Sequence, residues 1–269
     1  MTRMTAALKA WLAHPLTRGL DVDDPHVTHL RREIIQSKPF LRQIYEEWYW
    51  AIAAELPVGT EPIVELGSGA GFLEQLLPNL VTTEVFRCPG VSIVLNRQQL
   101  PLARASVRAI VMVDVLHHLP QPRHFIQEAN RCVRPGGRIV MLEPWVTPWS
   151  CLVYSRLHHE PFRPEAETWE FPSSGPLSGA NGALPWMMFE RDRARFLQEF
   201  PAWRIQMIRP MMPFRYLVSG DVSLRSLIPG SSYALWHGLE QALQPWMRSW
   251  AMFALIVLEK EHDLEIAGV

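Results

Sequence analysis

Three glycines at alternate positions stand out in VELGSGAG, residues 64–71: Gly67, Gly69 and Gly71 lie between an apolar run and a stretch with helical spacing. Such a turn lets a ligand approach the backbone with no Cβ in the way. Phe72 stands where a dinucleotide fingerprint needs its last glycine, which lowers a nicotinamide reading, and no Gly-Lys-Ser/Thr follows, which excludes a P-loop. Glu84, 17 residues after Gly67, is expected to close the second strand, where a carboxylate accepts hydrogen bonds from both hydroxyls of a ribose. Turn and carboxylate together point to a nucleoside ligand. Glu65 lies within the first strand, where a buried acid is expensive unless paired, so a place near the ligand's amino group or behind the glycine turn is expected.

Proton-transfer candidates come from two further segments. His117 and His118 follow the strand ending at Asp114, and adjacent residues at a helix start do not face one site equally well. His117 is the expected base and His118 a surface or capping residue. Downstream, Tyr154, His158, His159 and Glu160 fall in one segment. Consecutive residues rarely converge on one ion and no second cluster completes the set, so no metal is expected. His158 and Tyr154 are kept as groups that assist deprotonation. Arg209, Arg215 and Arg225 are candidates for a phosphate or carboxylate, against ordinary surface solubility.

These residues need a scaffold, and the apolar pattern supplies one. Short Val/Ile/Leu runs at 62–66, 81–86, 91–95, 109–114, 138–143, 203–210 and 251–260 read as strands, with helices near 70–78, 122–133, 189–200 and 233–250 and a Pro-Gly-Gly turn at 135–137. Nearly continuous apolar strands alternating with helices imply a parallel sheet covered on both faces, a doubly wound α/β fold. Residues 1–56 read as a helical cap interrupted at Pro39, 57–143 as the ligand-binding core, 144–189 as a lid with a short helix near 150–159, and 190–269 as the rest of the core with a helical insertion. The aromatic residues Trp11, Tyr45, Trp48, Tyr49, Trp50, Trp145, Trp149 and Trp186 would form an apolar acceptor pocket if several faced one cavity; core packing accounts for them equally.

Composition narrows the function classes. With 26 Lys and Arg against 27 Asp and Glu, the chain of 269 residues offers no field to attract a nucleic-acid backbone. Three unpaired cysteines suggest neither disulfides nor a Cys-rich zinc site and fit a reducing compartment, so a cytoplasmic location is expected. The longest apolar run, Trp250 to Leu258, is too short to span a bilayer as a helix. The aromatic 233–249 stretch leaves peripheral membrane contact or a homodimer interface open.

The ELGSGAG turn, Glu84, LPLARAS at 100–106, Asp114 to His118 and the Arg-Pro-Gly-Gly sequence at 134–137 resemble the class I S-adenosylmethionine-dependent methyltransferases, in the small-molecule, methyltransferase type 11-like subgroup. The resemblance covers about 60–143. It implies a Rossmann-like seven-stranded sheet with N-terminal helices and an inserted lid, and S-adenosyl-L-methionine as cofactor with S-adenosyl-L-homocysteine as product. Gly67, Gly69 and Gly71 would surround the amino-acid portion of the cofactor with Glu65 close by, and Glu84 would hold the ribose. Asn96 takes the place of a common aspartate at the adenine, with Gln99 and Leu100 nearby; its side-chain oxygen still accepts a bond from the amino group. Asp114 would lie beneath the methionine portion and His117 would face the transferred methyl. The expected activity is methyl transfer to a small molecule, at oxygen, with glycan, lipid-linked and natural-product acceptors open. The competing class is a binding or regulatory protein that keeps the scaffold without methyl transfer.

Overall fold

The computed structural model describes residues 16, 25–95, 99–157, 160–173, 175, 179–226 and 228–262. Seven strands form one sheet: β1 (Ile63–Leu66), β2 (Leu80–Glu84), β3 (Ile93–Val94), β4 (Val107–Val113), β5 (Val133–Pro144), β6 (Trp203–Met211) and β7 (Phe253–Lys260), in the order β3-β2-β1-β4-β5-β7-β6. Strands β1 to β5 pair in parallel, whereas β7 runs antiparallel between β5 and β6. Each expected strand is present. The near-continuous apolar runs arise because both faces are covered. Ala109, Val111, Val140, Leu142, Leu255 and Val257 pack on one side; Ile110, Met112, Ile139, Met141 and Ile256 pack on the other.

Helices α1 (Pro25–Ser37) and α2 (Pro39–Ala54) meet at the expected break, with Pro39 opening the second helix, where its missing N–H costs nothing. Phe40, Leu41, Ile44, Trp48 and Ile52 bury the α2 face against the first side of the sheet. Helix α3 (Pro122–Cys132) covers the second side through Phe125, Ile126 and Ala129. It is joined there by Met187, Phe189 and Phe196, from a π-helical turn at Met187–Arg191 and helix α5 (Arg193–Glu199) that follow the lid helix α4 (Pro148–Leu157). Helices α6 (Arg215–Ser219), α7 (Tyr233–Ala242) and α8 (Met247–Trp250) fill the connection between β6 and β7.

Two expectations are corrected. The helix expected at 70–78 is only a single 3-10 turn, Leu73–Gln75. Phe72 and Leu73 belong to the cluster built on α2, so the N-terminal helix takes the sheet face that a longer β1–β2 helix would cover. The Arg-Pro-Gly-Gly sequence is no free turn but part of β5, where pairing jumps from Val107–Val133 to Ala109–Arg138. Gly136, at φ +68°, absorbs the irregularity in a backbone region that suits glycine.

Candidate active site

At the carboxyl ends of β1, β2 and β4, one cavity brings Gly67, Ala70, Glu84, Asp114 and Val115 together. This is where open α/β sheets bind ligands. Gly67 turns the chain at φ +73°, and a Cβ there would meet Val115 Cγ2 at 2.6 Å. A Cβ on Gly69 would meet Thr28 Cγ2 at 2.4 Å, and one on Gly71 the Tyr49 hydroxyl at 2.6 Å. Gly67 thus borders the cavity, while Gly69 and Gly71 let α1 and α2 close onto the turn. Thr28, Arg31 and Tyr45 from those helices form its far wall.

Glu84 ends β2 at the cavity edge, with one carboxylate oxygen on the Val85 N–H at 2.5 Å. Glu65 is buried beside the turn, and its Oε2 finds no hydrogen-bond partner among the described residues. Burial pushes its carboxyl up to about 7. A buried acceptor lacking a partner, next to a glycine cradle and a strand-end carboxylate, suits a ligand carrying an amino group and a ribose. The residues therefore fit S-adenosylmethionine.

Asp114 follows β4 in the left-handed region at φ +61°, unusual for a residue with a Cβ. Burial raises its carboxyl; the His117 charge opposes this, and Glu143 and Glu160 add to it. The 3-10 turn Leu116–His118 comes next and is pinned by Glu143 at the end of β5. Glu143 Oε1 accepts the backbone N–H groups of Val115 and Leu116, at 2.9 and 2.7 Å, and Oε2 lies 2.8 Å from His117 Nδ1.

The lid completes the enclosure. Asn181 N–H donates to the His117 carbonyl at 2.9 Å, and its side chain bonds Arg163 from both sides, tying 179–182 to 160–163. Glu160 is thereby placed with Oε2 3.5 Å from His117 Nε2 and Oε1 3.8 Å from His118 Nε2. Tyr154, Phe162, Tyr216 and Phe253 supply apolar wall, and Asp221 a further carboxylate.

Several expected roles change. His117 does not line the cavity; it lies buried beneath it, and His118 lines it instead. Burial lowers the His117 pKa, but the Asp114 charge and hydrogen bonds to Glu143 and Glu160 outweigh this and hold the imidazole well above its usual range. It is not a free base. The Tyr154 hydroxyl donates to the Met252 carbonyl at 3.1 Å, and burial pushes its pKa well above 10, so it serves as wall. His158 and Asn96 lie outside the described residues. Gln99 is exposed, and Leu100 is in the core with its backbone held by Glu128 and Arg131; neither lines the cavity. Arg215 binds no external anion: it is buried between Glu47 and Glu240. No tryptophan among the described residues lines the cavity.

Sequence reasoning passed over Thr28 and Arg31, named Tyr45 only among the aromatic residues of an acceptor pocket, and saw no second cluster to complete a His/Glu set. The structure brings Glu160 to His117 and His118, each offering a ligand atom within 4.8 Å of the others.

A seven-stranded sheet with an antiparallel β7 between β5 and β6, and a ligand cavity over the glycine turn after β1, defines a Rossmann-like methyltransferase fold. Residues 64–141 match the family described as methyltransferase domain. Over these residues the chain is similar to the class I S-adenosylmethionine-dependent methyltransferases that its glycine turn and strand-end acid resemble. Among solved structures, a methyltransferase from Thermotoga maritima described as a possible histamine N-methyltransferase is 13% identical, over 87% of this chain and 99% of that one, with a TM-score of 0.51. Geranyl diphosphate C-methyltransferase from Streptomyces coelicolor A3(2) is 12% identical over 93% and 90% of the two chains, at a TM-score of 0.47. A comparison with curated protein sequences finds no match. No helix among the described residues is long and apolar enough to cross a membrane.

Proposed function

We propose that the chain transfers a methyl group to an oxygen of a small-molecule acceptor held under the lid. The observation that carries this reading is the continuity of the cavity, from Gly67 and Glu84 past Asp114 to His118 and Glu160. S-adenosylmethionine supplies an electrophilic methyl carried on a sulfonium. Gly67, Glu84 and Asp114 would hold it, with Glu65 beside the turn, and Arg31 from α1 would meet its carboxylate, while Gly69 and Gly71 let α1 and α2 close against the turn. The acidic lining of Glu84, Asp114, Glu160 and Asp221 suits a ligand with two positive centres.

Displacement at a sulfonium methyl gains most from alignment and exclusion of water. Tyr154, Phe162, Tyr216 and Phe253 pack the acceptor's apolar part, and the strapped lid shields the reacting atoms. An acceptor hydroxyl loses its proton on the side of His118 and Glu160. The bound sulfonium would supply the methyl group to that oxygen and leave as the neutral thioether.

Calorimetric titration with S-adenosylmethionine, S-adenosylhomocysteine and NADH tests the first half. One-to-one binding of the two sulfur nucleosides and not of NADH is expected; folded protein that binds neither overturns the reading. A screen of phenolic and sugar hydroxyl acceptors, followed by mass spectrometry of the product, tests the second: methyl found only on nitrogen or carbon overturns the assignment to oxygen.

A further inference from the structure

We propose that His117 Nε2, His118 Nε2 and Glu160 form a site for one divalent transition-metal ion of the zinc class, with its remaining position open to the cavity. The geometry of the three ligand atoms is the first support. Two ligands on a tetrahedral zinc lie roughly 3.4 Å apart, given bond lengths of about 2.0 to 2.1 Å. Glu160 Oε2 lies 3.5 Å from His117 Nε2 and Oε1 lies 3.8 Å from His118 Nε2, and one ligand atom from each of the three residues falls within 4.8 Å of the others, so the cluster draws in around an ion.

The outer contacts are the second support. A metal-binding histidine almost always gives its other ring N–H to a carboxylate or a backbone carbonyl, which fixes its tautomer. Both histidines do so, one to each kind. His117 Nδ1 lies 2.8 Å from Glu143, and His118 Nδ1 lies 3.1 Å from the Gly179 carbonyl. These contacts turn both Nε2 atoms to the Glu160 side. The two supporting groups are themselves anchored: Glu143 by the N–H groups of Val115 and Leu116, and Gly179 by the strap through Asn181.

Two histidines and one carboxylate with an open position form a donor set of catalytic rather than structural zinc sites. His118 and Glu160 line the cavity, so the open position faces the acceptor. An ion there would bind the acceptor's hydroxyl oxygen and lower its pKa, the proton leaving to water, before the oxygen takes the methyl. That role rests on the methyl-transfer reading; the metal site itself does not.

The test uses the full chain, freed of metal by a chelator and titrated with Co2+ and with Zn2+, alongside a separate titration with S-adenosylhomocysteine. One equivalent of Co2+ with the intense visible bands of a four-coordinate ion, displaced by Zn2+, is expected. His118→Ala and Glu160→Gln should each abolish the bands, and Glu143→Gln should weaken binding about 10- to 100-fold. His237→Ala, distant from the cluster, should leave them unchanged. Circular dichroism confirms that each variant is folded, and two ligand variants guard against one failing. S-adenosylhomocysteine bound without Co2+ overturns the metal site and spares the methyl-transfer reading. Co2+ bound without the nucleoside does the reverse. Co2+ bands that survive both His118→Ala and Glu160→Gln overturn the ligand assignment.

Discussion

Glu143 and His117 form a fully buried pair, with carboxylate and imidazole 2.8 Å apart, at the point where β4 turns into the site. The same carboxylate caps the N–H groups of Val115 and Leu116. Glu143→Ala removes the partner of four buried groups at once, the N–H groups of Val115, Leu116 and His117 and the His117 Nδ1, and a loss of about 3 to 5 kcal/mol is expected. Urea unfolding of the two proteins measures it; a loss below about 1 kcal/mol would remove Glu143 as the anchor of this turn.

Glu84→Ala is expected to weaken S-adenosylhomocysteine binding roughly 10- to 100-fold, which is about 1.4 to 2.7 kcal/mol for a charge-assisted ribose contact. Glu84→Asp should retain part of it. Calorimetry at one salt concentration gives both numbers, and equal affinities for all three proteins would move the ribose elsewhere.

Glu65 predicts an unusual pH dependence of stability in the ligand-free protein. Its folded pKa of about 7 lies above the ordinary 4.5, so the folded state binds the proton more tightly than the unfolded state does. Its contribution is full below about pH 4.5 and is lost as pH rises through 7. Relative to Glu65→Gln, the wild type should lose about 3 kcal/mol between pH 4.5 and 8. Paired urea melts at several pH values test this, and parallel curves would contradict it.

Arg215→Met leaves Glu240 buried without its 2.5 Å partner and frees Glu47, so a loss of about 3 to 5 kcal/mol is expected. Affinity for S-adenosylhomocysteine, measured on the protein that remains folded, should not change. A specific loss of nucleoside binding would return Arg215 to the ligand-binding role that its sequence position suggested.

The strands were legible because both faces of the sheet are buried, so apolar runs such as Ala109 to Val113 and Phe253 to Leu258 carry little alternation to confuse the reading. The glycine turn and Glu84 were legible for a different reason: few residue types fit a close backbone approach or a strand-end carboxylate. What escaped was set by packing between distant segments. Phe72 and Leu73 lie under α2, so the expected helix after the turn shrinks to one 3-10 turn. Leu100 has an apolar side chain that fits a ligand wall or a core equally well, and the bonds from Glu128 and Arg131 decide for the core. The histidines were recognised, but which one faces the cavity depends on Glu143 below and Glu160 above. Glu160 reaches them only because Asn181 folds the lid back over the turn.

Asp114 keeps a left-handed backbone at the floor of the cavity, a conformation that costs a residue with a Cβ roughly 1 kcal/mol or more. Glycine would relieve that strain, and asparagine would remove the crowded charge. With the proposed role of Asp114 in holding the nucleoside, the position sets heat resistance against ligand affinity: a library screened for thermal survival alone should discard Asp114 early, and its hardiest members should be those that have stopped binding the nucleoside.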